Sequence, residues 1–316
     1  MLKVGIAGVG GISGAHIAAW RKIEEAKIVA MCDVRPERLE LYEEGNKYTD
    51  LDEMLEKEEL DILDVILPTY LHAENALKAI EKGIHVLCEK PISLKEEDVK
   101  TLYDVAERKD VCFMVAHVLR FWPEYMKLKE IHDSGKYGKL LSGSMKRLSA
   151  KPKWSWDNWM SDPERSGLVP YDLHIHDLDF MMYAFGNPKK VVPYRVNRPE
   201  QDYVNVVYEY DDFSITAEAS WYAARYPFRA EFRFLYEGAV VAMEGGKFVV
   251  YENDGTMITT EQAEGEEKGE AVLQLPATGG YFNEIKYFTE CVIKNQKPDI
   301  IKPEELENVI RILNSI

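Results

Sequence analysis

The stretch KVGIAGVGGIS, residues 3–13, decides the fold. It opens as a short apolar run, breaks into glycines and continues as a helical pattern. A strand that feeds a glycine turn and then a helix N-terminus is the phosphate-binding element of doubly wound parallel sheets. The glycines let the backbone turn tightly and approach a pyrophosphate, and the helix end favours its negative charge. Gly8, Gly10, Gly11, Ile12 and Ser13 are therefore candidate pyrophosphate residues. Ser13 stands where the third glycine of the pattern falls, where it can sit small against the strand or cap the helix.

Working outward, four more runs repeat the strand signal: KIVAMCD (27–33), ILDVIL (62–67), HVLCE (85–89) and VCFMVA (111–116). Amphipathic stretches fill the intervals, as strands and crossover helices of a parallel sheet require. Gly83 marks one helix end, and Ser93 with Glu96 reads as a capping box opening the next. After residue 120 the pattern changes. A helix over 124–134 precedes alternating runs such as KLLSGSMKRLSA, NVVYEY, SITAEASWY, FRAEFRFLY and AVVAMEG. The helix LHIHDLDFMMYAFG interrupts them, EQAEGEEKGE (261–270) reads as an exposed turn or mobile loop, and two helices close the chain. The expected architecture is an α/β Rossmann domain over 1–120, followed over 121–316 by an α+β domain with a large open, mostly antiparallel sheet.

The second strand ends in Asp33, twenty residues after Ser13, where a carboxylate accepts the ribose hydroxyls of an adenosine. This spacing favours NAD, and Arg35 and Arg38 leave NADP open, because a guanidinium beside the ribose can hold a 2′-phosphate. Both arginines can equally be an exposed helix start. The formal net charge of -16 argues against nucleic-acid and membrane-surface partners. The four cysteines, Cys32, Cys88, Cys112 and Cys291, lack zinc or disulfide-framework spacing, and no leader or spanning segment is read at the N-terminus. A cytoplasmic protein is expected.

Three motifs make the sequence resemble the glucose-fructose oxidoreductase, inositol dehydrogenase and rhizopine-catabolism (Gfo/Idh/MocA) family: the glycine turn with His16 behind it, VILPTYLHAENALKAIEKGIHVLCEKPIS, and GLVPYDLHIHDLDF. The resemblance implies an oxidoreductase that moves a hydride between a nicotinamide and a secondary alcohol of a sugar or cyclitol. In the family a Thr-Pro-Asn-x-x-His pattern packs on the nicotinamide ribose. Here it stands as Leu67-Pro68-Thr69-Tyr70-Leu71-His72, so Leu67, Pro68, Thr69 and His72 are implied cofactor contacts, with Leu67 and Thr69 departing from the pattern. His72 can also be a helix-start residue satisfied by solvent. Glu89-Lys90-Pro91 resembles the family's Glu-Lys-Pro turn, which implies Glu89 and Lys90 at the cofactor and Lys90 between nicotinamide and substrate. Many members of the family are dimers or tetramers through the open sheet of the second domain, and a homodimer or homotetramer is expected.

The segment Asp172-Leu173-His174-Ile175-His176 reads as helix, because Leu178, Met181, Met182 and Phe185 continue it at helical spacing. Asp172 and His176 then share a face, and His174 points elsewhere. Histidine suits proton transfer from an alcohol near neutral pH, with Asp172 orienting it or binding a neighbouring hydroxyl. The family's Asp-x-x-x-His pair carries over onto these two residues, with His174 where glycine is usual. A metal reading of the trio is disfavoured by the roughly 200° that a helix puts between the two histidines, and no metal is expected. His117 and Arg120, after the fifth strand, are candidate substrate residues. His117 can instead face a domain core, and Arg120 can pair with an acidic neighbour. Trp154, near Trp156, Trp159, Lys153 and Arg165, offers a sugar-binding wall or an interface anchor. Two rival functions remain: a hydrolase or epimerase that uses tightly held NAD transiently, and a non-catalytic NAD(P)- or sugar-sensing protein.

Overall fold

The strands of the first third carry no polar alternation because both of their faces are covered. The computed structural model describes residues 1–260 and 279–316. In it β1 (Leu2–Ala7), β2 (Ala26–Cys32), β3 (Asn46–Tyr48), β4 (Ile62–Val65), β5 (His85–Glu89) and β6 (Phe113–Ala116) pair in parallel, in the order β3-β2-β1-β4-β5-β6. Every residue of β4 and β6 is buried. The helices α1 (Ser13–Trp20), α2 (Pro36–Leu39), α3 (Leu51–Lys57), α4 (His72–Glu81) and α5 (Glu96–Arg108) alternate with the strands. The strand order reverses between β1 and β4, and ligands of such sheets bind beyond the carboxyl ends at that switch point.

Five of these strands match the runs read from the sequence, and β3 is added. β3 is three residues with no apolar run, paired only with β2 at the sheet edge. The capping box at Ser93 does not form. Lys95 takes the N-cap position in extended conformation, while Ser93 Oγ donates to Asp98 and accepts from Lys95 N–H at 3.1 Å. The acidic first turn, Glu96, Glu97 and Asp98, meets the helix dipole instead.

The chain divides into two compact units: Met1–Val118 with residues 279–307, and residues 119–260 with Asn308–Ile316. The expected division after residue 120 placed 279–307 in the second domain. In the structure α9 (Gly280–Ile293) buries Ile285, Phe288 and Val292 and packs against α1, with the Tyr281 ring 5.5 Å from that of His16.

The second unit contains α6 (Pro123–Ser134), α7 (Pro163–Ser166), α8 (Ile175–Phe185) and an eight-stranded sheet. Its strands are β7 (Leu140–Ala150), β8 (Lys190–Arg198), β9 (Gln201–Glu209), β10 (Ser214–Tyr222), β11 (Arg229–Tyr236), β12 (Ala239–Glu244), β13 (Lys247–Glu252) and β14 (Met257–Thr260). The order is β14-β13-β12-β11-β7-β10-β9-β8, parallel only between β7 and β10. α8 is buried nearly all round, and its Phe180 meets Tyr125 at 4.9 Å, which in turn meets Phe232 of β11 at 5.1 Å. The expected acidic turn at 261–270 lies outside the described residues. Among the described residues no helix is long and apolar enough to cross a membrane.

Candidate active site

A parallel sheet delivers every strand end to one edge, and the predicted cofactor residues of the first unit collect there. Gly8 leaves β1 with φ +99, and a Cβ on it would lie 2.5 Å from the Ile66 carbonyl oxygen, so only glycine lets the turn press against the end of β4. At Gly10 a Cβ would meet nothing within 4 Å, which leaves an open cradle over the turn. Ser13 is buried at the start of α1, and its Oγ donates to the Gly10 carbonyl at 2.9 Å. Gly11 and Ile12, between them, are partly exposed. Asp33, at the end of β2, accepts the Val9 N–H at 2.9 Å, while Arg38 donates from Nε to Val9 O at 2.9 Å and from Nη2 to Gly10 O at 3.2 Å. The Asp33 carboxylate and the glycine turn are thus built as one piece.

The Glu-Lys-Pro turn closes β5 on the same edge. Lys90 is half-buried, whereas Glu89 is buried and committed inward. One Glu89 oxygen takes His16 Nε2 at 3.0 Å and the other accepts the Lys90 N–H at 3.1 Å. The opposite nitrogen of His16 meets Asp64 Oδ2 at 2.9 Å, and Trp20 Nε1 donates to that same oxygen at 2.7 Å. Burial opposes charge on His16, but Asp64 and Glu89 outweigh it and raise its pKa well above the ordinary value. The Glu89 carboxyl is lowered, since His16 and Lys90 more than offset its burial. Glu89 therefore anchors the turn instead of presenting its carboxylate to solvent.

His72 is likewise buried, not satisfied by solvent. Its Nδ1 lies 2.7 Å from Pro91 O and its Nε2 2.6 Å from Leu67 O, which ties the Leu67-Pro68-Thr69 segment to the lysine turn. Burial lowers the His72 pKa against the pull of both carbonyls. Leu67 and Pro68 are half-buried at the edge and Thr69 is buried.

In the second unit, Gly167 and Leu168 both take left-handed φ, 70 and 60, and lead into a π-helical turn over Pro170–His174 that runs into α8. Its i→i+5 bond joins Ile175 N–H to Pro170 O. Asp172 and His176 are the half-buried pair here, flanked by buried Tyr171, Leu173, His174, Ile175 and Asp177, so the two open onto the accessible side of this segment. His174 points into the core. Its Nε2 lies 2.6 Å from the Tyr208 hydroxyl, and burial with the nearby Arg147 depresses its pKa to about 3. Among the described residues no three His, Cys, Asp or Glu side chains are grouped to hold a metal ion.

Arg120 is removed from the substrate set by its surroundings. Its side chain is 0% exposed and forks onto Asp179 of α8 at 2.9 and 2.6 Å, with its guanidinium 4.6 Å from the Tyr183 ring centre. His117 is buried just past β6. Trp154 is 43% exposed in the loop before Trp156–Ser161 and available to a ligand or a partner. The sequence reading missed Asp64, Arg147 and the pair Asp177 and Asp179. Asp64 had a visible signal, a lone carboxylate inside the apolar run ILDVIL.

The family descriptions "Oxidoreductase family, NAD-binding Rossmann fold" and "GFO/IDH/MocA C-terminal domain" match residues 2–117 and 125–242. The chain belongs to the Gfo/Idh/MocA oxidoreductase family. It is 34% identical over 197 residues to a 2,7-anhydro-N-acetylneuraminate hydratase of Mediterraneibacter gnavus, covering 60% of this chain and 52% of that protein. It is 32% identical over 192 residues to the glucose-6-phosphate 3-dehydrogenase of Bacillus subtilis, covering 58% and 54%. The matches thus span about half the length of these curated relatives. A levoglucosan dehydrogenase solved with NADH and levoglucosan superposes with TM-score 0.82 at 20% identity, covering 100% of this chain and 96% of that one, a likeness of fold. Residues 2–117 are therefore the NAD-binding half of a Gfo/Idh/MocA protein, and the open cradle over Gly10 fits a dinucleotide pyrophosphate.

Proposed function

We propose that the chain is an NAD(P)-dependent dehydrogenase acting on a secondary alcohol of a sugar, a sugar derivative or a cyclitol. One observation carries the reading: a half-buried lysine ends β5 on the sheet edge that also presents the glycine turn and Asp33. Gly8, Gly10, Gly11, Ile12 and Ser13 would hold the pyrophosphate, Asp33 the adenosine ribose, and Leu67, Pro68 and Thr69 would pack on the second ribose. Glu89 and His72 position these segments from behind. Bound nicotinamide supplies a hydride acceptor or donor. The Lys90 ammonium orients the alcohol and stabilises negative charge developing on its oxygen. His176 takes the hydroxyl proton and in reduction returns it, and Asp172 orients the imidazole or binds a neighbouring hydroxyl. His117 and Trp154 are proposed to shape the substrate pocket.

The hydratase among the relatives favours keeping one alternative, in which NAD is used transiently and no net NADH appears. The dehydrogenase among the relatives speaks against a non-catalytic sensor. We further propose a homodimer or homotetramer through the second sheet, supported by the outward Tyr194, Leu235 and Tyr251, and a cytoplasmic location. The test offers NAD and NADP against cyclitols, aldoses, uronic acids and sugar phosphates, with reduced-cofactor absorbance as the readout. Turnover with one group, abolished in Lys90→Ala with NADH affinity held within a few-fold, supports the reading. Full turnover in that variant removes the role of Lys90, and no net reduction by a dinucleotide-binding protein favours the transient-NAD alternative.

A further inference from the structure

Asp33 is the residue from which NAD preference is read, yet its carboxylate is already fully engaged. Oδ1 accepts the Arg35 backbone N–H and Arg35 Nε, both at 3.0 Å, and Oδ2 accepts the Val9 N–H at 2.9 Å and Arg35 Nη2 at 3.1 Å. A carboxylate offers about four acceptor positions, and four donors fill them. A ribose diol can therefore bond to Asp33 only by displacing the guanidinium fork. A 2′-phosphate makes no such demand. Arg35 screens the Asp33 charge, keeps the N–H donors that Asp33 does not use, and its side chain is 26% exposed. Arg38 is not the competitor for Asp33, because its Nε and Nη2 donate to Val9 O and Gly10 O and not to that carboxylate.

We propose that the Asp33–Arg35 pair acts as a cofactor gate in which the closed pair accepts NADP(H) through Arg35 and the opened pair accepts NAD(H) through Asp33, so that the chain binds both. Arg35 thus does two opposed things: it competes with the NAD ribose for Asp33 and it recognises the NADP 2′-phosphate. The inference rests on the dinucleotide site alone and not on the roles proposed for Lys90, Asp172 or His176.

The test is direct binding of NADH and NADPH to the full chain by titration calorimetry, without substrate or turnover. The wild-type chain is expected to bind both. Arg35→Ala should weaken NADPH roughly ten- to hundredfold, the worth of a charge-assisted contact, while NADH binds equally well or tighter because its competitor is gone. Asp33→Asn should weaken NADH and spare NADPH. Added salt should weaken NADPH more than NADH, since the partly exposed fork is screened. Far-UV circular dichroism of each variant separates a local effect from misfolding, and Arg35→Lys, which keeps charge without the fork, should fall between wild type and Arg35→Ala. Failure of the wild-type chain to bind NADPH, unchanged NADPH affinity in Arg35→Ala, or an equal loss of both cofactors in that variant would overturn the gate.

Discussion

Replacing Arg120 by Met separates a structural arginine from a substrate-binding one. Both members of the Arg120–Asp179 pair are essentially inaccessible, at 0% and 1% side-chain exposure, and they are joined by two bonds of 2.9 and 2.6 Å. Methionine fills much of the stem volume but leaves the Asp179 carboxylate buried without its cation. Breaking a buried pair from one side costs about 3–5 kcal/mol. At roughly 2–4 °C per kcal/mol for a domain of this size, the thermal midpoint should fall by roughly 6–20 °C. The double variant Arg120→Met with Asp179→Leu removes both charges and should recover most of the loss, because an apolar replacement of a buried pair is often neutral or better. The assay is calorimetric unfolding of wild type, both single variants and the double variant, with turnover measured on folded protein at 25 °C. A single variant that melts like wild type but has lost turnover would refute the reasoning and return Arg120 to the substrate.

Three further outcomes are expected. His174 is neutral in the folded protein, with its pKa depressed to about 3, while in the unfolded chain it takes up a proton below about 6.5. Its contribution therefore holds above pH 6.5 and falls by roughly 1.4 kcal/mol per pH unit as the pH drops toward 3, and urea unfolding of His174→Phe should show a shallower acid slope than wild type. His16 has the opposite sign. With its folded pKa raised, its contribution is complete below about 6.5 and is lost as pH rises through the folded value, so His16→Gln should flatten stability on the alkaline side. Gly8→Ala forces a Cβ to 2.5 Å from the Ile66 carbonyl at a left-handed φ, and should lower stability by about 1–3 kcal/mol and weaken NADH binding, read by melting and titration. Wild-type values for both would show that the turn relaxes.

What the sequence by itself determined were features written in consecutive residues. Periodicity and glycine placement gave the parallel sheet, because a strand, its turn and the following helix are neighbours in the chain. Spacing to Asp33 and the resemblance of the Glu-Lys-Pro turn picked out residues that the fold delivers to one edge. β3 was illegible because three polar residues become a strand only when β2 offers a partner. The return of α9 to the first unit was illegible for a similar reason, since an apolar helix face does not say which surface it covers. Tertiary structure decided which polar side chains face inward. Glu89, His72 and Arg120 read as ligand residues by their position in a motif, yet their partners, His16, the Leu67 and Pro91 carbonyls, and Asp179, lie between 5 and 73 residues away along the chain. A buried polar group must be paired where the fold happens to place a complement. Arg35 stands two residues from Asp33, and only the folded geometry shows that it occupies the carboxylate on which the reading of cofactor preference rests.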